Sequence, residues 1–238
     1  GLLGIGWSMD MPSIERATIH RLPEYKKTDE FVAGGGDLLV LSGDVKGAPM
    51  YRSRIESGFS RYQWVGAANG EAGYWMQESP DGLVSYYGAN EKGEAVESAQ
   101  VKTPKGGVFR YMLVVTVDRY GHQLRYKYKK TNQYPLLDSI EYNDDATGTP
   151  RFRVTFAYET RGSDIISDAR PGFNLTLDQR LKGVTVLSGA QAIHRYALKY
   201  ETDAESGGFS RLREVRQYGL NDVEHAIHWT FSYSKSLG

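Results

Sequence analysis

The sequence contains no cysteine. Disulfides, thiolate nucleophiles and cysteine-ligated metals are thereby excluded. The compartment is not, because cysteine-free chains work both inside cells and outside them. Neither charge is in surplus, since 29 Lys plus Arg balance 29 Asp plus Glu. A general binder of nucleic acid or of anionic membrane needs a cationic excess, so nucleic acid is not an expected partner. No apolar run approaches the roughly 20 residues of a helical membrane span, and no charged segment leads into an apolar signal core. Long periodic blocks of Ala, Leu, Glu and Lys are missing too, which removes the usual substance of α-helices. The chain opens at Gly1 in mid-pattern rather than at Met. It reads as a single β domain over residues 1–238, cut from a longer polypeptide.

What is abundant is Tyr, at 17 residues, and Gly, at 27. Aromatics on pleated faces and glycines in turns are the composition of a β protein. The order of residues agrees. In RFRVTFAY, Phe152, Val154, Phe156 and Tyr158 alternate with Arg151, Arg153 and Thr155. Tyr196, Leu198 and Tyr200 alternate with Arg195 and Lys199, and HWTFSY repeats the pattern with Trp229, Phe231 and Tyr233. One apolar and one wet face is the signature of antiparallel sheet covered on one side. Turn residues punctuate these runs at Pro80-Asp81-Gly82, at Gly121, in 143–150 and at Ser188-Gly189-Ala190. The reading is an all-β chain, a long antiparallel meander of hairpins with few or no helices. Residues 22–36 and 89–106 read as loops. The stretch 161–178 reads as a longer excursion with a short helical turn before Pro171. The tetrapeptide GFSR recurs at 58–61 and 208–211, too little for a repeat array; it reads as two similar strand starts.

Motifs that carry chemistry are few. There is no phosphate-binding Gly-rich loop, no Gly-x-Ser-x-Gly elbow and no His-Glu-x-x-His. His225 and His228 are three apart, so on a strand they face opposite sides and cannot share a metal without a turn or bulge between them. Asn143, Asp144 and Asp145 sit in a turn where Ca²⁺ could lodge, but they lack the spaced oxygens of a dedicated loop. Asp138, Glu141 and Glu159 are carboxylates on or beside strands; glycoside hydrolysis would need two of them to converge across a cleft. Arg211, Arg213 and Arg216 form a short basic run interrupted by Glu214. Trp64, Tyr74, Trp75, Tyr86 and Tyr87 cluster within a short stretch and form a candidate platform for stacking sugars or a peptide. Cross-strand packing is the plainer account of the same residues. No cofactor is expected.

Four stretches resemble a known family. GIGWSMDMPSIER, at 4–16, resembles the Gly-x-Gly-Trp-Ser-x-x-x-Pro-x-Ile-x-Arg segment that begins the N-terminal domain of SpvB-like proteins. That family includes the Salmonella virulence plasmid B protein and the B components of insecticidal toxin complexes. YWMQESPDGLVSYYG (74–88) is similar to its Asp-Gly…Tyr-Gly strand pair, with Met76 where Val is common. RLKGVTVLSGAQAIHRYALKYE (180–201) is similar to its strand–turn–Tyr strand unit. SRLREVRQYG (210–219) with IHWTFSYS (227–234) is similar to its closing pair. DRYGHQLRYKY also resembles Rhs/YD-type repeats. The pattern residues are Gly4, Gly6, Trp7, Pro12, Ile14, Arg16, Trp75, Asp81, Gly82, Tyr87, Gly88, Tyr196, Tyr200 and Trp229. The resemblance gives them packing and turn roles, with Gly4 and Gly6 allowing close backbone approach and Trp7 plugging a sheet face. It implies a curved sheet that is part of a β shell, with partners in the same polypeptide: a propeller, Rhs repeats and a C-terminal effector. Other toxin-complex subunits are further implied partners, in a secreted bacterial protein. The transferase of the Salmonella protein is a separate domain that relies on a Glu-x-Glu pair. No two Glu residues here are spaced two apart, so the expectation is a domain that is not an enzyme. A cell-surface binding module using the 64–87 aromatics is the alternative, and a glycan-active enzyme the third.

Overall fold

The computed structural model describes residues 1–45, 47–66, 73–162, 164–202 and 207–234; the side chains of 45, 221 and 224–227 lie outside the description. The chain is all-β, an antiparallel meander as expected, with two 3₁₀ turns among the described residues. It divides into two compact units. A barrel unit comprises Met11–Leu136 and Asp168–Leu175; a sheet unit comprises Gly1–Asp10, Leu137–Ser167 and Thr176–Gly238.

The barrel unit contains β1 (Ser13–Arg16), β2 (Phe31–Ala33), β3 (Asp37–Val45), β4 (Ala48–Ser53), β5 (Arg61–Gly66), β6 (Gly73–Glu78), β7 (Val84–Tyr87), β8 (Gln100–Lys102), β9 (Val108–Val117) and β10 (Gln123–Thr131). Each of β1 to β7 pairs antiparallel with the next, and β7 pairs with β9. β9 then pairs back to β1, Ile14 opposite Tyr111, so eight strands close into a ring. Alternation sends one set of side chains inward. Ile14, Ala33, Leu39, Tyr62, Trp75, Tyr87, Tyr111 and Leu113 form one buried cluster, with Phe31, Tyr51, Trp64 and Tyr126 packed against it. The barrel is filled by its own aromatics. Trp75, 1% exposed, meets the rings of Phe31, Tyr51 and Trp64 edge-on at 5.0, 5.1 and 5.5 Å. A smaller cluster joins Val101 and Phe109 to Leu175, with Tyr25, Tyr134 and Phe173 against it.

Two segments expected to be loops carry structure. Residues 22–36 include β2, and 89–106 include a 3₁₀ turn at Glu97–Ala99 and β8. In the excursion 161–178, the described residues form β13 (Ile166–Asp168) and β14 (Leu175–Leu177), with a turn and no helix before Pro171. Strands of three residues are too short for alternation to be read.

The sheet unit takes its strands from β11 (Tyr134–Asp144), β12 (Pro150–Thr160), β15 (Gln179–Ser188), β16 (Gln191–Glu201), β17 (Arg211–Tyr218) and β18 (Glu224–Thr230), in that spatial order and antiparallel. The two GFSR segments lead into β5 and β17, as strand starts.

One turn recurs through both units. At Ser79–Leu83, Asn90–Glu94, Thr103–Gly107, Asp118–His122 and Asp145–Thr149, the first N–H donates to the fifth carbonyl, and the N–H of the fourth residue, a glycine, to the first carbonyl. That glycine always has positive φ, 80 to 93°, as in a type I turn followed by a left-handed bulge residue. In four of the five, the first side chain also accepts the third and fifth N–H groups.

Candidate functional site

The five aromatics of 64–87 do not share a surface. Trp64 lies opposite Trp75, and Trp75 opposite Tyr87; all three point into the barrel cluster. Tyr74 and Tyr86 alternate to the other face, where their rings lie 6.3 Å apart, partly exposed. Burial raises the Tyr87 phenol well above its ordinary value, and its hydroxyl donates to Gln77 at 2.6 Å. Burial likewise pushes Tyr111 up to about 12. These are packing aromatics kept neutral.

The opening motif is divided between the units. In the barrel unit, Ile14 is fully buried and the Pro12 carbonyl accepts the Leu113 N–H at 3.0 Å. Arg16 is 3% exposed and donates to the carbonyls of Val108 (2.9 Å) and Lys26 (3.1 Å) and to the Asp29 carboxylate (2.7 Å). Its guanidinium lies 5.1 and 5.0 Å from the Tyr25 and Phe31 ring centroids. Asp29 in turn accepts the N–H groups of Glu24, Tyr25 and Lys26. The Arg16–Asp29 pair therefore shapes the loop between β1 and β2. Farther along, Gly88 has φ +79°, and a Cβ there would lie 2.6 Å from the Tyr111 ring. The Asp81 carboxylate bonds the Ser79 hydroxyl and the Leu83 N–H, and Gly82 is the glycine of that turn.

In the sheet unit, Gly4 has φ +87°, and a Cβ on it would lie 2.5 Å from the Ser210 carbonyl oxygen; glycine is required. That approach lets the Ile5 N–H donate to Ser210 O at 2.8 Å, while Leu2 O accepts from Leu181 at 2.9 Å. Gly6 has φ +79° and open space around it. Trp7 does not plug a sheet face. It is 39% exposed, packs on Phe231 at 4.7 Å, and donates its indole N–H to Tyr233 at 3.1 Å.

Beneath the opening segment lies a buried polar group that no motif announces. Arg161 and Asp164 pair at 3.0 Å with both side chains 1% exposed. Asp164 also accepts the Ser210 N–H at 2.7 Å, and Arg161 donates to the carbonyls of Gly1 and Gln179. Burial pushes the Asp164 carboxyl up, but the Ser210 hydrogen bonds and the Arg161 and Arg180 charges outweigh it and hold it below the usual range. Arg180 pairs with Glu159 at 2.8 Å and lies over the Tyr200 ring at 4.5 Å; Tyr200 donates to Leu181 O. The sequence signal that could have found this group is RGSD at 161–164, charged residues inside an otherwise turn-like stretch.

Several of the remaining candidates are held by neighbours. Arg211 and Arg213 face Glu201 at 3.7 and 3.4 Å, and Arg216 pairs with Glu214, so the run is a neutralised ladder. Glu141 pairs with Arg153 at 3.0 Å. Asp145 Oδ1 takes N–H groups of its own turn and the Thr147 hydroxyl. His228 is exposed on β18; the side chain of His225 lies outside the described residues. Among the described residues no three His, Cys, Asp or Glu groups gather as for a metal. A polar cavity of about 270 Å³ lies in the barrel unit beside His20, Arg21, Thr28 and Asp29, with the Asp29 carboxylate already committed to Arg16 and the loop.

What the sheet unit does present is an apolar face. Register places Val154 beside Val186, Phe156 and Tyr196 beside Val184, and Val215 beside Leu198 and Trp229. None of these eight is buried, and Trp229 is 45% exposed. The opposite face carries the pairs Glu141–Arg153 and Lys199–Glu214.

Comparison with known proteins matches residues 1–164 to the family model of SpvB, the Salmonella virulence plasmid 65 kDa B protein. Among curated proteins, the mono(ADP-ribosyl)transferases SpvB of Salmonella choleraesuis and Salmonella enteritidis are each 25% identical over 219 residues, covering 77% of this chain. The chain spans 35% of their length. Among solved structures, the N-terminal domain of effector protein SpvB from Salmonella typhimurium strain LT2 superposes with TM-score 0.79 at 19% identity, over 93% of this chain and 90% of that one. The Tc holotoxin pore of Photorhabdus luminescens gives TM-score 0.82 at 20% identity, over 98% of this chain and 14% of that one.

Proposed function

The chain belongs to the SpvB family, and from that premise we propose that it is a non-catalytic structural domain of a secreted bacterial toxin or Rhs-like protein. It forms one section of a β shell that encloses or presents a C-terminal effector. The apolar face of the sheet unit carries this reading. A single sheet cannot bury its own apolar face without a second layer, and these apolar residues remain only partly buried, as on a surface that meets a partner. The relatives are more than twice as long as this chain, leaving ample polypeptide to meet that face. Its partners are then the other domains of the same polypeptide and the subunits of a toxin complex. The turns and the buried ion pair hold the scaffold, and no residue of this chain is assigned a catalytic role.

The interior position of Trp64, Trp75 and Tyr87 favours this reading over a sugar-binding platform. The test is to sequence the reading frame on both sides of residues 1–238. Propeller or Rhs-type repeats followed by a C-terminal effector are expected. A frame that lacks both would overturn the shell and favour a binding module.

A further inference from the structure

The excursion between β12 and β15 folds as a hairpin of β13 and β14, whose strands pair with each other and not with the main sheet. Its tip, Asp168–Leu175, belongs to the barrel unit, while the chain on either side belongs to the sheet unit. Pro171 and Leu175 are buried and Phe173 is half-buried, whereas Arg170, Gly172 and Asn174 are exposed. Alternate side chains of the tip therefore enter the barrel unit. There Phe173 and Leu175 meet a socket of Val101 on β8, Phe109 on β9, Tyr134 and Tyr25; Val101 and Phe109 are fully buried. Arg110 and Glu15, paired with each other across β9 and β1, act electrostatically on Asp168 and Arg170 of the tip. Among the described residues, one hydrogen bond joins the tip to the rest of the barrel unit: the Tyr25 hydroxyl donates to the Pro171 carbonyl.

Tyr25 is shaped around that contact. Its φ is +60°, a left-handed conformation that a bulky residue adopts only under constraint and that is concentrated at functional positions. The constraint comes from three sides. Asp29 Oδ2 accepts the Tyr25 N–H at 2.8 Å, and the Arg16 guanidinium lies 5.1 Å from the ring centroid. The ring rests against Gly107, where a Cβ would lie 2.7 Å from it. The loop between β1 and β2 thus holds a strained residue in order to aim one hydroxyl at Pro171.

We propose that the hairpin tip is a releasable plug in the barrel unit and that Tyr25 is its latch. A tip held by side chains and one hydrogen bond can lift away without breaking any ladder of the ring, so its opening is local. Opening bares Val101 and Phe109. It also frees the β12–β15 connection from the barrel unit, leaving the chain to cross between the units twice, after Asp10 and Leu136, instead of four times. This inference goes beyond the shell reading and stands whether or not the domain is part of a shell.

The absence of cysteine supplies a clean test on the full 238-residue chain. Val101→Cys lies under the plug, and Ala33→Cys, in the ring cluster, is the buried control. A maleimide should label Val101→Cys at least roughly tenfold faster than Ala33→Cys, because local opening precedes global unfolding. Tyr25→Phe, which removes the latch bond, should speed labelling of Val101→Cys about fivefold, the worth of one such hydrogen bond, and leave the Ala33→Cys rate unchanged. Gly107→Ala should speed it too, by displacing the Tyr25 ring. Native-state hydrogen exchange on the unaltered chain guards against misfolded variants: the bonded amides of β13 and β14 should open at lower urea than those of β9. Equal labelling of the two cysteines, or exchange of the hairpin only together with β9, would overturn the plug. Fast labelling that neither Tyr25→Phe nor Gly107→Ala changes would overturn the latch.

Discussion

The two units solve the same problem in opposite ways. Both are antiparallel, both reuse one five-residue turn, and both alternate apolar with polar residues. In the barrel unit the β1–β9 pairing closes the ring, and the inward side chains pack into one buried cluster. In the sheet unit the same alternation yields a face that is only partly covered and a strand, β18, bonded on one side. Alternation chooses the face, and topology decides whether that face is a core or a surface. The barrel unit turns its apolar side chains into a buried cluster, whereas those of the sheet unit stay partly exposed.

Substitutions can break that contrast at its strongest points. Trp75→Ala should be the most damaging, because it empties the centre of the barrel. The expected cost is about 4 kcal/mol, read as a fall in the urea midpoint; a loss below about 1 kcal/mol would mean the interior is not tightly packed.

In the sheet unit the corresponding strut is the buried ion pair. Asp164→Ala strands the Arg161 charge and should cost about 3 kcal/mol. Because the folded carboxyl is held below its unfolded value, its contribution is present above about pH 4 and is lost as the pH falls through the folded value. The unaltered chain should therefore destabilise in strong acid more steeply than Asp164→Asn, compared by thermal melts across pH.

Gly4 and Gly6 sharpen the role of the opening motif. Both have positive φ, but only Gly4 faces a carbonyl at 2.5 Å from a would-be Cβ. Gly4→Ala should cost about 2 to 3 kcal/mol and Gly6→Ala roughly 1 kcal/mol. Equal effects would mean that conformation, not close approach to Ser210, selects glycine at position 4.

The smallest effect is expected on the open face. Val184→Thr with Val186→Thr should change stability by less than about 1 kcal/mol each, being only partly buried. The pair should nonetheless clearly reduce the fluorescence of an apolar-surface dye. A Val-to-Thr loss as large as that in a core would show that the face is covered.

Much of this was legible in the sequence, and what was hidden has physical reasons. Long strands such as β12 and β16 announce themselves through period two, and the turns at Asp81-Gly82 and Gly121 through their residues. β2 and β8, three residues each, are shorter than the pattern that would reveal them. The closure of β9 onto β1 joins residues about a hundred positions apart, and a non-local pairing leaves no local mark. The resemblance picked out Ile14, Arg16 and Gly88, all of which are structurally constrained. It did not point to Arg161 or Asp164, and it gave Ser210 no role, since their meaning depends on Gly4 lying against Ser210. The division of Tyr74 and Tyr86 from Trp75 and Tyr87 follows from alternation, which sets neighbours on opposite faces.

One unit is closed by the β1–β9 pairing and the other is left open at β18 among the described residues. Native-state hydrogen exchange on the dilute monomeric chain tests this directly. The amides of β9, held between partners on both sides, should exchange only through global opening of the barrel. The outward amides of His228 and Thr230 should exchange at nearly unprotected rates. Protection at His228 and Thr230 equal to that in β9 would contradict the account, because the edge would then already be bonded.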